Sequence, residues 1–156
     1  FIRHFWGKYK KDRDFISNQA KSNKVDFNSL SQSLRSKNGK VYEGINAHLV
    51  DKMNFEILYA DENIPKCNGL VRPDLVFQAS GRKIFLSLKT SIRERWKQAD
   101  WEAIYAKKSY PDWLYVLCIH DQKEAERLKN NLSFLSGLDS IICSNDKSLD
   151  EFYKNL

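Results

Sequence analysis

Two apolar-rich stretches in the middle of the chain predict two strands. They cover about residues 70–77 and 83–89, and a turn at residues 79–82 separates them. Side chains alternate between the two faces of a strand, so Lys89 shares a face with Phe85 and Ser87. The pattern predicts a hairpin whose second strand ends in a lysine.

Helices are predicted on both sides of this hairpin, where apolar residues recur every three to four positions. Upstream, a short helix at 28–34 and a longer one at 40–53 are separated by Gly39, and a strand follows at 55–59. Downstream, Ser91-Ile92-Arg93-Glu94 has the pattern of a capping box that opens a helix. The apolar run 113–119 is typical of a central buried strand. A helix at 123–132, a strand at 140–144 and a last helix from 148 complete the order, which predicts an α/β fold with a mixed central sheet flanked by helices.

Composition adds a moderate basic excess to this picture. The 156 residues fit one domain, and 26 Lys and Arg against 20 Asp and Glu give a net charge of +6. Such a charge fits a polyanionic partner, but solvated lysine faces produce it equally well. Cations and aromatic residues alternate in residues 1–26, either to stack on nucleic-acid bases or to form an amphipathic helix. We therefore separate a basic, aromatic segment, 1–26, from a core domain, 27–156.

Three cysteines without metal-ligand spacing favour a reducing, cytoplasmic setting. No apolar run approaches the ~20 residues that cross a bilayer, and no signal peptide is apparent, so no membrane partner is expected. The chain begins with Phe1 rather than Met, which is compatible with a processed or truncated product.

The hairpin and the following helix bring chemistry-bearing residues together. Asp74 lies on the first strand just after Pro73, and Lys89 ends the adjacent strand. A second acid is expected two residues before the lysine, but Ser87 stands there. Glu102, thirteen residues after Lys89 on the predicted helix, could fill the space that the serine leaves. Carboxylates that bind Mg²⁺ beside a lysine suit phosphodiester hydrolysis.

Each of these residues has a simpler interpretation when it is taken alone. Asp74 could cap a turn after Pro73, and Glu102 could be a solvated helix residue. Glu43 could pair with Lys40. The arginines near residue 94 could be a plain basic helix face. The combination is more specific than any one of its members.

That combination resembles the PD-(D/E)xK nucleases, and in particular a subgroup of type II restriction endonucleases. In that subgroup a Ser-x-Lys pair is followed, after twelve intervening residues, by a glutamate, as with Ser87, Lys89 and Glu102. The resemblance implies cleavage of palindromic DNA that contains CC and GG, such as CCGG, alone or interrupted by a central base or pair. It also implies that the triplet Arg93-Glu94-Arg95 enters the major groove, where arginine suits guanine and a carboxylate suits cytosine.

The resemblance extends upstream to the segment from Gln32 to Glu43, which is similar to the segment that opens the first core helix of this subgroup. It implies that Glu43 lies at the edge of the metal site as an outer acid. It also implies that Gln32 helps to read an outer base pair.

The resulting hypothesis is a type II site-specific deoxyribonuclease of a bacterial or archaeal restriction system, acting on double-stranded DNA with Mg²⁺. Asp74 and Glu102 would bind the metal and Lys89 would assist the attacking water. A palindromic site implies a homodimer. Two alternatives stay open: a PD-(D/E)xK nuclease of repair or mobile-element type that cuts by DNA structure, and a DNA-binding module without catalysis.

Overall fold

The computed structural model describes residues 18, 27–90, 95–144 and 147–156. The chain forms two compact units, Phe1–Ile45 and Asn46–Leu156. The predicted boundary between residues 26 and 27 lies at the edge of the described residues and stays a prediction. Within the described ranges, no helix is long and apolar enough to cross a membrane.

The first helix is longer than the sequence indicated. Helix α1 runs without interruption over Phe27–Lys52, and the boundary between the two units falls inside it. Gly39 was expected to end a short helix, and that prediction was wrong. A glycine inside a helix costs only about 1 kcal/mol relative to alanine, which is too little to stop a helix that propagates from both sides.

The second unit contains a five-stranded mixed sheet in the order β1-β2-β3-β4-β5. The strands are Glu56–Ala60, Leu75–Ala79, Arg82–Lys89, Leu114–Ile119 and Ser140–Cys143. The first three strands pair antiparallel, and β3, β4 and β5 pair parallel. Helix α2, Arg95–Lys107, connects β3 to β4, and helix α3, Gln122–Lys129, leads from β4 toward β5 through the 3₁₀ turn Leu132–Phe134. Helix α4, Lys147–Lys154, follows β5, and the predicted α/β class is confirmed.

The β2–β3 hairpin turns at the predicted residues, 79–82. Ser80 and Gly81 form a two-residue turn with φ values of 48° and 80°, the left-handed backbone that matches the twist of a hairpin. Strand β2 begins only at Leu75, so Asp74 lies just before the strand rather than on it. Because Leu75 pairs with Leu86, Asp74 stands opposite Ser87, at the end of β3.

Both faces of the sheet are largely buried at strands β2, β3 and β4. On one face, Val76 and Phe85 belong to a hydrophobic cluster with the alanine side of α2, formed by Ala99, Ala103 and Ala106. The small side chains of alanine let the helix approach the strands closely. On the other face, Phe77 stacks on Phe55 with the ring centroids 5.8 Å apart, and Tyr153 of α4 lies 6.0 Å away. Burial on both sides explains why β4 is an apolar run.

A buried carboxylate attaches α2 to the chain that enters β5. Asp100 Oδ1 accepts hydrogen bonds from the backbone N–H groups of Gly137, at 2.8 Å, and Leu138, at 3.1 Å. A Cβ atom at position 137 would lie 2.2 Å from the carbonyl oxygen of Asp100 and 2.6 Å from the amide nitrogen of Ile104. The contact therefore requires a glycine at this position, where the backbone crosses α2.

We expect Gly137→Ala to lower the free energy of unfolding by about 1–3 kcal/mol, because backbone atoms must move to admit the methyl group. Urea denaturation at fixed pH measures the change. Gly44→Ala is the control: it also adds a methyl group, but to a helix position with nothing within 4 Å. Equal stability of Gly137→Ala and the wild-type chain would show that the crossing is looser than described.

Candidate active site

One oxygen of Asp74 is the centre of the site. It accepts hydrogen bonds from the backbone N–H of Leu88 at 2.6 Å and from Lys89 Nζ at 2.9 Å. The hydroxyl of Ser87 donates to the same oxygen at the longer distance of 3.5 Å. The hairpin register makes this possible, since it sets Asp74 opposite the last residues of β3. Three consecutive residues of β3 thus hold the carboxylate in one orientation.

Lys89 and Asp74 form an ion pair that is largely removed from solvent. Their side chains are 14% and 18% exposed. The desolvation of two charges offsets most of their attraction, so such pairs contribute little to stability. The backbone of Lys89 is also held by the residue that follows β4, since His120 N donates to the backbone oxygen of Lys89 at 3.0 Å. The lysine therefore sits on a fixed strand end.

Glu102 of α2 lies within electrostatic reach of Asp74 and Lys89. It is 9% exposed and precedes Ala103, which packs in the cluster on the sheet. Burial raises the pKa of the Glu102 carboxyl, and a hydrogen bond from Gln98 and the charge on Lys89 lower it. The charge on Asp74 raises this pKa again. The two acids and the lysine therefore share one electrostatic environment.

Each acid keeps one oxygen without a hydrogen bond from the described part of the chain. Asp74 uses Oδ2 and leaves Oδ1, while Glu102 uses Oε1 and leaves Oε2. Carboxylate oxygens are the ligands that Mg²⁺ prefers, and this ion usually takes one or two of them while water and substrate phosphate complete its shell. No larger group of His, Cys, Asp or Glu side chains that could hold a metal occurs among the described residues. Two acids fit Mg²⁺ better than a metal that needs a full cage of protein ligands.

Ser87 occupies the position where a second acid was expected. It is 1% exposed and lies directly against Asp74. A carboxylate at this position would face the Asp74 carboxylate across the hairpin. The serine leaves that position uncharged, and Glu102 is the acid of α2 within electrostatic reach of Asp74.

The roles of the other predicted site residues are not tested by the described residues. Arg95 is the first residue of α2 and is exposed. Arg93 and Glu94 lie outside the described residues, as does the side chain of Gln32. Glu43 belongs to the first unit, where its Oε2 is 3.3 Å from Lys40 Nζ. The base-reading roles and the outer-acid role therefore stay predictions.

The sequence left open whether Gln98 supports the site or the core. Its Nε2 donates to Glu102 Oε1 at 2.8 Å across one helical turn. A glutamine four residues before a candidate metal ligand on a helix was the available indication, because side chains at this spacing lie on the same side.

Comparisons with known proteins match the fold. No protein-family model and no curated protein sequence matches the chain. A solved structure described as a complex of the restriction endonuclease PspGI with substrate DNA matches with a TM-score of 0.63 and 20% identity. The match covers 97% of this chain, which spans 64% of that chain. At this identity the likeness establishes that the chain has the fold of a restriction endonuclease.

Proposed function

We propose that this chain is the catalytic core of a type II restriction endonuclease that cleaves double-stranded DNA with Mg²⁺. The observation that carries the proposal is the contact of Lys89 Nζ with Asp74 Oδ2 at 2.9 Å, within electrostatic reach of Glu102. A restriction endonuclease with its DNA has the same fold, which supports DNA as the substrate class. As part of a restriction system, the protein would act in the cytoplasm of a bacterial or archaeal cell.

Asp74 and Glu102 would hold Mg²⁺ through the oxygens that accept no described hydrogen bond, Oδ1 and Oε2. When bound, the ion supplies a Lewis acid that stabilises the charge on the phosphoryl oxygens and makes a bound water more acidic. Lys89 has three N–H donors, of which one is directed at Asp74 Oδ2. The remaining two can orient the attacking water and donate to a phosphoryl oxygen as its negative charge grows. Glu43 would act as an outer acid.

Recognition would come from the start of α2. The triplet Arg93-Glu94-Arg95 would contact guanine and cytosine edges in the major groove of a palindromic CC/GG site, and Gln32 would contact an outer base pair. Arg95 and Glu102 are seven residues apart on one helix, or two turns and about 10 Å. A rigid helix would thus fix the distance between a base contact and a metal ligand. A palindrome read in this way requires a homodimer.

The test is plasmid cleavage by the wild-type chain and by Lys89→Ala. The wild-type chain should give discrete fragments with Mg²⁺ and none with a chelator. Lys89→Ala should cut about 10²–10³-fold more slowly, because preorganised donors at the reacting phosphate contribute that much. Lys83→Ala is the matched control: it removes an exposed lysine near the opposite end of β3, and its rate should stay within about twofold of wild type.

Wild-type speed in Lys89→Ala would contradict the proposal. Products of random length would indicate a nuclease that cuts by DNA structure instead. Specific binding without any cleavage would indicate a DNA-binding module.

A further inference from the structure

Glu102 is held less firmly than the other proposed metal ligand. Asp74 accepts hydrogen bonds from three residues of β3, whereas within the described part of the chain Glu102 accepts a single hydrogen bond. The single donor is Gln98 Nε2, at 2.8 Å from Glu102 Oε1. We infer that Gln98 is a positioning residue, which fixes the Glu102 carboxylate by one oxygen and leaves the other for the cation. This inference rests on the proposed function.

The chemistry of an amide suits this role. An ionised carboxylate can only accept hydrogen bonds, and the NH₂ group of glutamine can donate one. The amide nitrogen Nε2 rather than the amide oxygen therefore faces Glu102. A lysine or arginine in its place would orient the carboxylate but would also cancel the charge that attracts Mg²⁺. A neutral donor orients the ligand and preserves its charge. Hydrogen bonds of this kind to metal ligands tune the affinity of the site.

Gln98 is also placed so that its loss need not disturb the fold. Its side chain is exposed, whereas Glu102 is buried at 9% exposure. The side of α2 that packs on the sheet is formed by Ala99, Ala103 and Ala106, and Gln98 does not belong to this cluster. A substitution at position 98 therefore removes the hydrogen bond without opening a cavity in the core.

A second glutamine provides a matched control. On α3, Gln122 Nε2 donates to Glu126 Oε1 at 2.9 Å, with the same four-residue spacing. Both residues of that pair are exposed, and neither is a proposed ligand. The Gln98–Glu102 and Gln122–Glu126 pairs have the same spacing and the same hydrogen bond. They differ in that Glu102 is a proposed metal ligand and Glu126 is not.

The experiment compares Gln98→Met with Gln122→Met, since methionine keeps the length of the side chain and removes the donor. Binding of Mn²⁺ to the DNA-free protein is followed by the electron paramagnetic resonance of the free ion. Cleavage is measured against Mg²⁺ concentration. We expect Gln98→Met to weaken Mn²⁺ binding and to raise the half-maximal Mg²⁺ concentration, each by about tenfold. The rate at saturating Mg²⁺ should stay within about threefold of wild type, because excess ion compensates for weaker binding.

Gln122→Met should match the wild-type chain in both measurements. The melting temperatures of both variants without metal should lie within about 2 °C of wild type, since both positions are on the surface. A purely structural role would lower the melting temperature and leave Mn²⁺ affinity unchanged, which would overturn the inference.

Two further outcomes separate this inference from the proposed function. If the wild-type chain cuts DNA and Gln98→Met binds Mn²⁺ equally well, the positioning role is wrong and the nuclease assignment stands. If the wild-type chain neither binds Mn²⁺ nor cuts DNA, both are wrong. A loss of maximal rate without any change in metal affinity would assign Gln98 to the DNA and would also overturn the positioning role.

Discussion

Asp74→Asn should nearly abolish cleavage, lowering the single-turnover rate at saturating Mg²⁺ by about 10³-fold. Asparagine keeps the shape of the side chain and one acceptor for the Leu88 N–H, which now lies 2.6 Å from Asp74. It loses the negative charge that would hold Mg²⁺ and that pairs with Lys89 at 2.9 Å. A cleavage assay on a short duplex, with circular dichroism to verify folding, measures the effect.

Asp139→Asn provides the control for this substitution. Asp139 also accepts from a lysine and a backbone N–H, namely Lys107 Nζ at 2.6 Å and Tyr115 N at 2.8 Å. It takes no part in the proposed site. Its variant should lose some stability and keep its cleavage rate. A rate for Asp74→Asn within about tenfold of wild type would contradict the role of Asp74 as a metal ligand.

Glu102→Gln should lose activity and gain stability. The rate should fall by about 10²–10³-fold, because one of the two proposed charged ligands is replaced by a neutral amide. The free energy of unfolding at pH 8 should rise by about 1 kcal/mol, as is common when a functional but unfavourable group is removed. The reason is burial, which raises the pKa of the Glu102 carboxyl in the folded chain.

The pH dependence of this gain follows from the sign of the shift. A carboxyl whose pKa is raised on folding stabilises the folded state below its unfolded pKa, about 4.3, and loses that contribution as pH rises through the folded pKa. Neutral glutamine has no such dependence. The stability difference between the two chains should therefore be largest at pH 8 and smallest near pH 4. Urea denaturation at both pH values measures it.

Mg²⁺ should stabilise the wild-type chain more than it stabilises Glu102→Gln. It should raise the melting temperature of the wild-type chain, since a ligand that binds only the folded state stabilises it, and should have little effect on Glu102→Gln. Glu126→Gln is the control, since Glu126 is an exposed acid that also accepts a glutamine hydrogen bond. A less stable Glu102→Gln at pH 8 would show that the buried charge is favourable where it lies.

The parts of the site that follow local patterns could be predicted from the sequence. The hairpin, the lysine at the end of β3 and the helix that brings Glu102 all depend on periodicity over short stretches. The start of β2 was placed too early, because the apolar residues Leu70 and Val71 belong to a loop with left-handed backbone at Asn68 and Gly69.

Contacts across long stretches could not be predicted in this way. The hydrogen bonds from Gly137 and Leu138 to Asp100 join residues that are 37 and 38 positions apart, and no local pattern indicates them. The backbone N–H of Leu88 is part of the site, yet a main-chain donor leaves no trace in residue types. Helix α1 continues through Gly39 because glycine costs a helix only about 1 kcal/mol relative to alanine. The presence of a residue that is common in turns does not show that this cost is so small.

The two-residue turn at Ser80 and Gly81 has a consequence for the order in which the site assembles. Asp74 and Lys89 are 15 positions apart and meet as soon as the hairpin closes, an event of microseconds with a small loop-closure entropy. Glu102 joins only when α2 packs against the sheet, which is a later and less local step. We therefore expect the lysine to neutralise the first acid before the second one arrives, so that the folding chain does not have to bring two unpaired carboxylates together.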